Sequence, residues 1–238
     1  MTPSLLWGNG VERSGKTGGA FRAGRVTLQL NQIAWAAGAL AAAVPAGWAA
    51  TRVACAYGEQ SAPPLPAMMA GLLAVFGWAA AVTPPGLVLA LSLILGWTLF
   101  TLAIVDARAF RLPNSLTLPL LGVGLAGAFA LPGAPIVDHV AGAAVGYGVL
   151  AAIGWAFWRL RGEEGLGLGD AKLLAAAGAW LGWRPLPSVL IVACLLALAW
   201  IAIRAAARGR ASLRGKIAFG APLCLAIWIV WLHGAFTV

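Results

Sequence analysis

The chain has 238 residues, of which 61% are hydrophobic and 10% are charged, whereas a soluble domain carries about 25% charged residues. This composition excludes a soluble globular enzyme and an intrinsically disordered chain. The net charge of +9 argues against nucleic-acid binding, because basic residues on so apolar a chain set membrane topology. The chain is therefore predicted to be an all-α, polytopic helical membrane protein within a lipid bilayer.

Eight apolar segments follow one another, and each is predicted to be a transmembrane helix, which needs about 20 apolar residues. A Pro-Pro-Gly turn at residues 84–86 divides the uncharged run 60–105 into two helices. The sixth segment is short for a span, at about 21 Å. The predicted spans are 33–51, 65–83, 86–105, 115–131, 140–158, 170–183, 186–203 and 217–236.

Three regions are predicted from this pattern of spans. Residues 1–32 form a basic, disordered tail, residues 33–84 form two N-terminal membrane helices, and residues 85–238 form a six-helix core. Residues 10–17 match the letters of a phosphate-binding loop, but such a loop requires a preceding strand and a following helix. The sequence around this match predicts neither element, so the segment is interpreted as part of the basic tail.

Lysine and arginine are distributed unequally between the two sides of this bundle. The loops after spans 1, 3, 5 and 7 hold 11 of the 16 basic residues, and the positive-inside rule places those loops in the cytoplasm. Asp106 and Asp170 fall on that side, whereas Asp138 falls on the other and is predicted to be a solvated loop residue. The basic residues of the tail conflict with this orientation: Arg13, Lys16, Arg22 and Arg25.

Tryptophan pairs stand near several predicted span ends, which indicates interfacial anchoring: Trp155 and Trp158, Trp180 and Trp183, and Trp228 and Trp231. The three cysteines lie apart, without a C-x-x-C pair, and are predicted to be small buried residues: Cys55, Cys194 and Cys224. No His or Cys accompanies the two cytoplasmic aspartates. We therefore predict no metal site.

The two cytoplasmic aspartates stand in different local contexts. Asp106 ends an uncharged run and is followed by basic residues, as at a solvated helix end. Asp170 follows glycines at alternate positions, among them Gly167 and Gly169. Because glycine has no side chain, these positions permit close approach of another chain. The alternative role for Asp170 is the N-cap of the following helix.

As a pair, the two carboxylates predict acid–base chemistry. Like charges a few Å apart do not both ionise cheaply, so such a pair holds a single proton. One carboxylate then deprotonates a water molecule while the other protonates the scissile carbonyl oxygen. No Ser-His-Asp set competes with this interpretation, because His139 and His233 lie at or near the opposite face.

These residues resemble the type IV prepilin peptidase family, among the GxGD-type membrane aspartyl peptidases. Residues 167–170 read Gly-Leu-Gly-Asp, the G-x-G-D signature, and the similarity continues through residues 171–182. The family's other Asp ends a membrane helix before a basic stretch and Leu-Pro, as Asp106 does here. Residues 219–222 read Phe-Gly-Ala-Pro, similar to a family segment reading Phe-Gly-Pro. The resemblance covers about residues 85 to 236.

The resemblance implies a membrane aspartyl endopeptidase, without a cofactor, whose catalytic residues are Asp106 and Asp170. It implies removal of a short basic leader from type IV prepilins, or from pseudopilins of type II secretion, at the cytoplasmic face of a bacterial inner membrane. The substrate-binding or supporting residues are then Gly167, Gly169, Lys172, Glu163 and Glu164. The ordinary alternatives are a snorkelling lysine and solvated loop acids.

The link between the first two spans departs from the family. Many members carry there a cytoplasmic domain with two C-x-x-C pairs, and they also N-methylate the mature substrate. Here the link is only residues 52–64, with Cys55 as its single cysteine. We therefore expect a peptidase without N-methyltransferase activity.

Two other classes of function stay open. A presenilin or signal-peptide-peptidase relative shares G-x-G-D, but that group has Tyr before the first Asp, where this chain has Val105. A non-catalytic membrane assembly subunit or a small transporter would use Asp106 and Asp170 for protons or ions. A transporter is expected to carry acids near mid-bilayer and two related halves, whereas both aspartates are predicted at span ends.

Overall fold

Eight α-helices make up the described part of the computed structural model, which covers residues 15–57, 64–131, 133–162, 167–208 and 218–234, with side chains described from residue 32. Each predicted span corresponds to one helix, so the predicted all-α polytopic architecture is confirmed. In chain order the helices are α1 (Gly15–Tyr57), α2 (Leu65–Val82), α3 (Leu87–Ala109), α4 (Asn114–Ala130), α5 (Ile136–Arg161), α6 (Leu168–Leu181), α7 (Leu186–Arg208) and α8 (Gly220–Gly234).

Five of the described helices are long and apolar enough to cross a membrane. They are α2, α3 and α5 in full, α1 from Gln32 and α7 up to Ala207, while α4 and α8 are shorter apolar helices. The chain is therefore a multi-pass membrane protein. Helix α6 has 14 residues and rises about 21 Å, so it is too short to cross a hydrocarbon core of about 30 Å.

Helix α1 begins earlier than the sequence predicts. Residues 15–32, assigned to a disordered tail, are helical in the structure and continue without a break through Pro45 to Tyr57. The segment 20–31 contains Ala, Arg, Leu and Gln, which have good intrinsic helix propensity, and it joins directly to an apolar helix. Residues 1–14 of the predicted tail lie outside the described residues.

Helix α6 lies at the centre of the bundle and packs against α4, α5 and α8. Its residues from Ala171 to Trp180 are buried with the exception of Lys172, as expected for a helix surrounded by protein. Glycines let α5 come very close: a Cβ on Gly142 would lie 2.6 Å from the Gly178 carbonyl oxygen. This contact fixes the position of α6 and thereby that of Asp170 in its first turn.

Helices α1 and α2 form a smaller apolar core that packs against α3. The buried side chains of this core are Ala43, Ala50, Met68, Leu72 and Phe76. Trp97 on α3 donates its Nε1–H to the Ala46 carbonyl oxygen of α1 at 3.0 Å. At the end of α1, the Tyr57 hydroxyl lies 2.6 Å from Ser115 Oγ. The C-terminal end of α1 is thereby attached to the start of α4.

The interfacial role predicted for the tryptophans is wrong for three of them. Trp180, Trp228 and Trp231 are buried in the main core. Trp180 donates its Nε1–H to the Leu120 carbonyl oxygen at 2.8 Å, and Trp231 donates to Ser92 Oγ at 2.9 Å. Because the indole N–H groups of Trp180 and Trp231 find partners within the bundle, these two side chains do not need a polar membrane interface.

Two further predictions are corrected by the structure. Asp138, predicted in a solvated loop, lies half-buried in the first turn of α5, where the helix dipole favours an acid. Among the cysteines, Cys224 is buried as predicted, but Cys55 and Cys194 are exposed. An apolar sequence does not distinguish positions that face other helices from positions that face lipid.

Candidate active site

Asp106 lies in the last turn of α3, and its side chain is only 5% exposed. Its Oδ2 accepts a hydrogen bond from the backbone N–H of Ala221, at the start of α8, at 2.9 Å. The N-terminal end of a helix favours a carboxylate because its first N–H groups have no partners within the helix. Helix α8 therefore holds the Asp106 carboxylate in one position.

Gly220 makes this contact between α8 and α3 sterically possible. A Cβ at this position would lie 2.7 Å from Asp106 Oδ2 and 3.1 Å from Leu112 Cδ1. Both distances are shorter than ordinary van der Waals contacts. The position therefore requires glycine for the carboxylate to reach the Ala221 N–H group.

The chain turns sharply just after Asp106. Phe110 caps α3 in the left-handed conformation, with φ 51°, which is uncommon for a residue other than glycine and costs conformational energy. Its N–H donates to the Asp106 carbonyl oxygen at 2.9 Å. This turn ends α3 and sends residues 111–113 towards α6.

Asp170 lies half-buried in the first turn of α6. Its N–H donates to the carbonyl oxygen of Gly167, the N-cap residue, at 3.1 Å. A Cβ on Gly169 would lie 3.1 Å from the Cβ of Leu112, tighter than most real contacts. Gly169 thus lets α6 approach the chain that follows Asp106, whereas a Cβ on Gly167 would meet only ordinary contacts, the nearest at 3.9 Å.

The Asp170 carboxyl is electrostatically coupled to Asp106. Burial, and then the charge of Asp106, raise the pKa of Asp170 to about 7. An acid with a raised pKa keeps its proton to higher pH. Asp170 is therefore protonated below about pH 7 and ionised above it, which suits a pair that shares one proton near neutral pH.

Asp106 and Asp170 line one cavity, with a volume of about 730 Å³. Of the predicted supporting residues, Gly167, Gly169 and Lys172 line it as well, whereas Glu163 and Glu164 lie outside the described residues. The structure therefore brings together residues that are 64 positions apart in the chain.

Several polar residues of this cavity, among them Asn114, Tyr57 and Ser115, were not predicted to belong to the site. Lys172 Nζ donates to Asn114 Oδ1 at 2.8 Å, which connects α6 to the start of α4. Tyr57 and Ser115 line the same cavity, and their contact brings α1 to it. Asn114 directly follows the Leu-Pro pair that supports the resemblance, but no local pattern in the sequence points to Tyr57.

Within the described part of the chain, no group of three His, Cys, Asp or Glu side chains is arranged to hold a metal ion. The other polar side chains that line the cavity are a lysine, an arginine, an asparagine, a serine and a tyrosine, which do not form a usual metal-ligand set. The arrangement is chemically suited to proton transfer between two carboxylates and a bound water molecule.

The region that carries both aspartates is similar to a known protein family. Residues 93–202, which include both aspartates, match the model of the type IV leader peptidase family. No solved structure matches the chain.

Curated proteins that the chain is similar to carry the name prepilin leader peptidase/N-methyltransferase. The one from Aeromonas salmonicida strain A449 is 41% identical over 177 residues, which are 72% of this chain and 58% of the relative. The one from Escherichia coli strain K12 is 48% identical over 97 residues, 41% of this chain and 43% of the relative. The one from Klebsiella pneumoniae is 43% identical over 136 residues, with 57% and 60% covered. The chain therefore spans less than two thirds of these relatives.

Proposed function

We propose that the protein is a membrane aspartyl endopeptidase that removes the short basic leader from type IV prepilins or from pseudopilins. The observation that carries this proposal is that Asp106 and Asp170, from α3 and α6, line one cavity. The family match and the names of the relatives support the choice of leader peptides as substrates.

In the proposed reaction the two carboxyls share one proton. The ionised member takes a proton from a water molecule, whose oxygen forms a bond to the scissile carbonyl carbon, while the protonated member gives its proton to the carbonyl oxygen. The tetrahedral intermediate then collapses: one of its hydroxyls returns a proton to the carboxylate that is now ionised, the carbonyl re-forms and the C–N bond breaks. The leaving amine takes a proton from the other carboxyl, so the pair again holds one proton. The Ala221 N–H group, 2.9 Å from Asp106 Oδ2, keeps that carboxylate in position throughout.

The site is proposed to face the cytoplasm of a bacterial cell, with the protein in the inner membrane. Basic residues surround the end of the bundle that carries the aspartates: Arg108 and Arg111 after Asp106, Arg159 and Arg161 at the end of α5, and Lys172 beside Asp170. The positive-inside rule favours the cytoplasm for that end. A basic leader would reach the site from there.

Glu163 and Glu164 are proposed to attract this leader. They are two of the four glutamates in the chain, and they stand in the segment just before Gly167, which lines the cavity. Their negative charges would offset the positive charge of the surrounding arginines. Replacement of both by Gln is expected to raise the KM for a basic leader while leaving kcat unchanged.

The protein is proposed to lack N-methyltransferase activity, although its relatives are named for both activities. The support is the short link at residues 52–64, which holds one cysteine in place of two C-x-x-C pairs. Mass spectrometry of the mature substrate is expected to show an unmodified N-terminal amine. A methylated N-terminus, in cells where this is the sole candidate enzyme, would overturn this part of the proposal.

Co-expression with a prepilin tests the proposed activity directly. We expect the prepilin to shift to lower apparent mass on a gel, with its new N-terminus at the end of the basic leader. An Asp138→Asn variant is a matched control, because Asp138 lies in the first turn of α5 and does not line the site. No shift with the wild-type protein, when it is present in the membrane, would contradict the proposal.

A further inference from the structure

Two aromatic side chains line the candidate active-site cavity beside its polar groups. They are Tyr57, at the end of α1, and Phe110, which caps α3. Tyr57 is 43% exposed and Phe110 is 49% exposed, so neither residue is packed into a core. An aromatic ring that is left uncovered in this way offers both apolar area and a ring face to a ligand.

Phe110 occupies a position where the turn itself does not need its ring. In the described part of the chain it is the one residue other than glycine with a positive φ, at 51°. Glycine usually fills such a position after a helix, because it adopts this conformation without strain. A strained residue at the edge of a site indicates a role for its side chain. Packing does not supply that role, because Phe110 is half exposed.

Tyr57 is held at the cavity through its hydroxyl group. The hydroxyl oxygen lies 2.6 Å from Ser115 Oγ, at the start of α4, and both residues line the cavity. This contact restrains the end of the side chain and does not occupy the face of the ring. The ring therefore stays beside the cavity with its face available.

The charges of the described lining do not favour a basic ligand by themselves. Arg111 and Lys172 line the cavity together with the two aspartates, which carry one negative charge when they share a proton. The described lining thus holds two positive charges against one negative charge. A basic side chain that enters the cavity therefore needs another favourable contact. An aromatic ring supplies one, because its electron-rich face attracts a cation within about 6 Å of the ring centroid.

We propose that Tyr57 and Phe110 form an aromatic pair that binds lysine or arginine side chains of the leader through the faces of their rings. This inference rests on the proposed peptidase function, because it takes the basic leader as the ligand. The aromatic pair would select a positively charged leader over a neutral leader of the same length.

Binding of a synthetic leader peptide tests the aromatic pair without cleavage. The peptide contains the leader alone and is amidated at its C-terminus, so it carries no scissile bond. A second, neutral peptide has Gln in place of every Lys and Arg. The dissociation constant of each peptide is measured with the full chain in phosphatidylcholine vesicles, because anionic lipid would itself attract the basic peptide. We expect the wild type to bind the basic peptide more tightly than the neutral peptide.

Two variants each remove one ring. Phe110→Gly keeps the turn, because glycine adopts a positive φ without strain, and Tyr57→Leu keeps an apolar side chain. The matched control is Tyr147→Leu, because Tyr147 is 41% exposed on α5 and does not line this cavity. A cation–π contact at an exposed site contributes roughly two- to fivefold in affinity. We therefore expect each of the first two variants to weaken binding of the basic peptide by that factor, without changing binding of the neutral peptide.

Fluorinated phenylalanines at position 110 separate a cation contact from packing. Each added fluorine withdraws charge from the ring face, which carries the attraction for a cation, and leaves the shape of the ring nearly unchanged. We expect the affinity for the basic peptide to fall stepwise from phenylalanine through the mono-, di- and trifluoro analogues. Equal affinity across this series, an equal loss with both peptides, or no binding of the basic peptide to the wild type would overturn the proposal.

Cleavage of a full prepilin is measured separately, so the two proposals fail in different ways. If the wild type does not cut prepilin but its affinity for the basic peptide falls stepwise with fluorination, the peptidase function is refuted and the aromatic pair stands. If prepilin is cut and fluorination has no effect on binding, the aromatic pair is refuted and the peptidase function stands.

Discussion

Gly220→Ala is the substitution that reports most sharply on the geometry around Asp106. The new Cβ would lie 2.7 Å from Asp106 Oδ2, whereas ordinary contacts begin near 3.4 Å. The difference, 3.4 minus 2.7, requires a displacement of roughly 0.7 Å. Leu112 Cδ1, 3.1 Å from the same Cβ, restricts movement on another side. The carboxylate therefore has to move away from the Ala221 N–H group.

The size of the effect follows from the hydrogen bond that is lost. A hydrogen bond to a charged group contributes about 1.5–3 kcal/mol, and each 1.36 kcal/mol is about tenfold in rate. A misplacement of about 1 Å at a reacting group is expected to cost on the order of 100-fold. We therefore expect Gly220→Ala to lower the rate of leader removal by roughly 10- to 100-fold.

The assay is the initial rate of prepilin cleavage in proteoliposomes, normalised to the amount of folded protein. Gly148→Ala is the matched control, because Gly148 is exposed on α5 and a Cβ there meets nothing within 4 Å. Thermal melting of both variants separates a loss of catalysis from a loss of folding. A wild-type rate for a folded Gly220→Ala variant would refute the reasoning about Asp106.

Three further predictions concern the surroundings of the aspartate pair. Lys172→Met removes the 2.8 Å contact with Asn114. Because exposed polar contacts contribute about 1 kcal/mol or less, we expect the cleavage rate to fall by no more than about fivefold. Complete loss of activity would instead indicate a catalytic role for Lys172. Gly142→Ala would place a Cβ 2.6 Å from the Gly178 carbonyl oxygen. Because overpacking costs about 1–3 kcal/mol, we expect the melting midpoint in detergent to fall by roughly 2–10 °C. An unchanged midpoint would contradict the tight α5–α6 contact. Cleavage is expected to decline as the pH rises through about 7, because Asp170, whose pKa is raised to about 7, then loses the shared proton; a rate that keeps increasing above neutral pH would contradict this.

Much of the fold follows from the sequence because local properties determine it. Uncharged apolar runs divided by turn residues predict all eight helices, and the Thr-Pro-Pro-Gly turn at 83–86 separates α2 from α3 as expected. The pairing of Asp106 with Asp170 was inferred from their shared side and from the resemblance, and the structure places both on one cavity.

Features that depend on packing between distant helices could not be predicted from the sequence. The Ala221 N–H group that holds Asp106 is 115 residues away in the chain, and nothing local to either residue indicates the contact. Trp180 is buried because its indole N–H donates to a carbonyl oxygen of α4. Its position near the end of a predicted span therefore did not indicate whether it faces the membrane interface. Tyr57 reaches the site because the end of α1 packs beside α4.

The pairing of Asp106 and Asp170 as catalytic residues is the central claim, and single substitutions to Asn test it most directly. Asn keeps the size of the side chain but cannot exchange the shared proton. We predict that Asp106→Asn and Asp170→Asn each accumulate in the membrane and each abolish prepilin cleavage, while Asp138→Asn cleaves at the wild-type rate. Cleavage at the wild-type rate by either of the first two variants would contradict the claim.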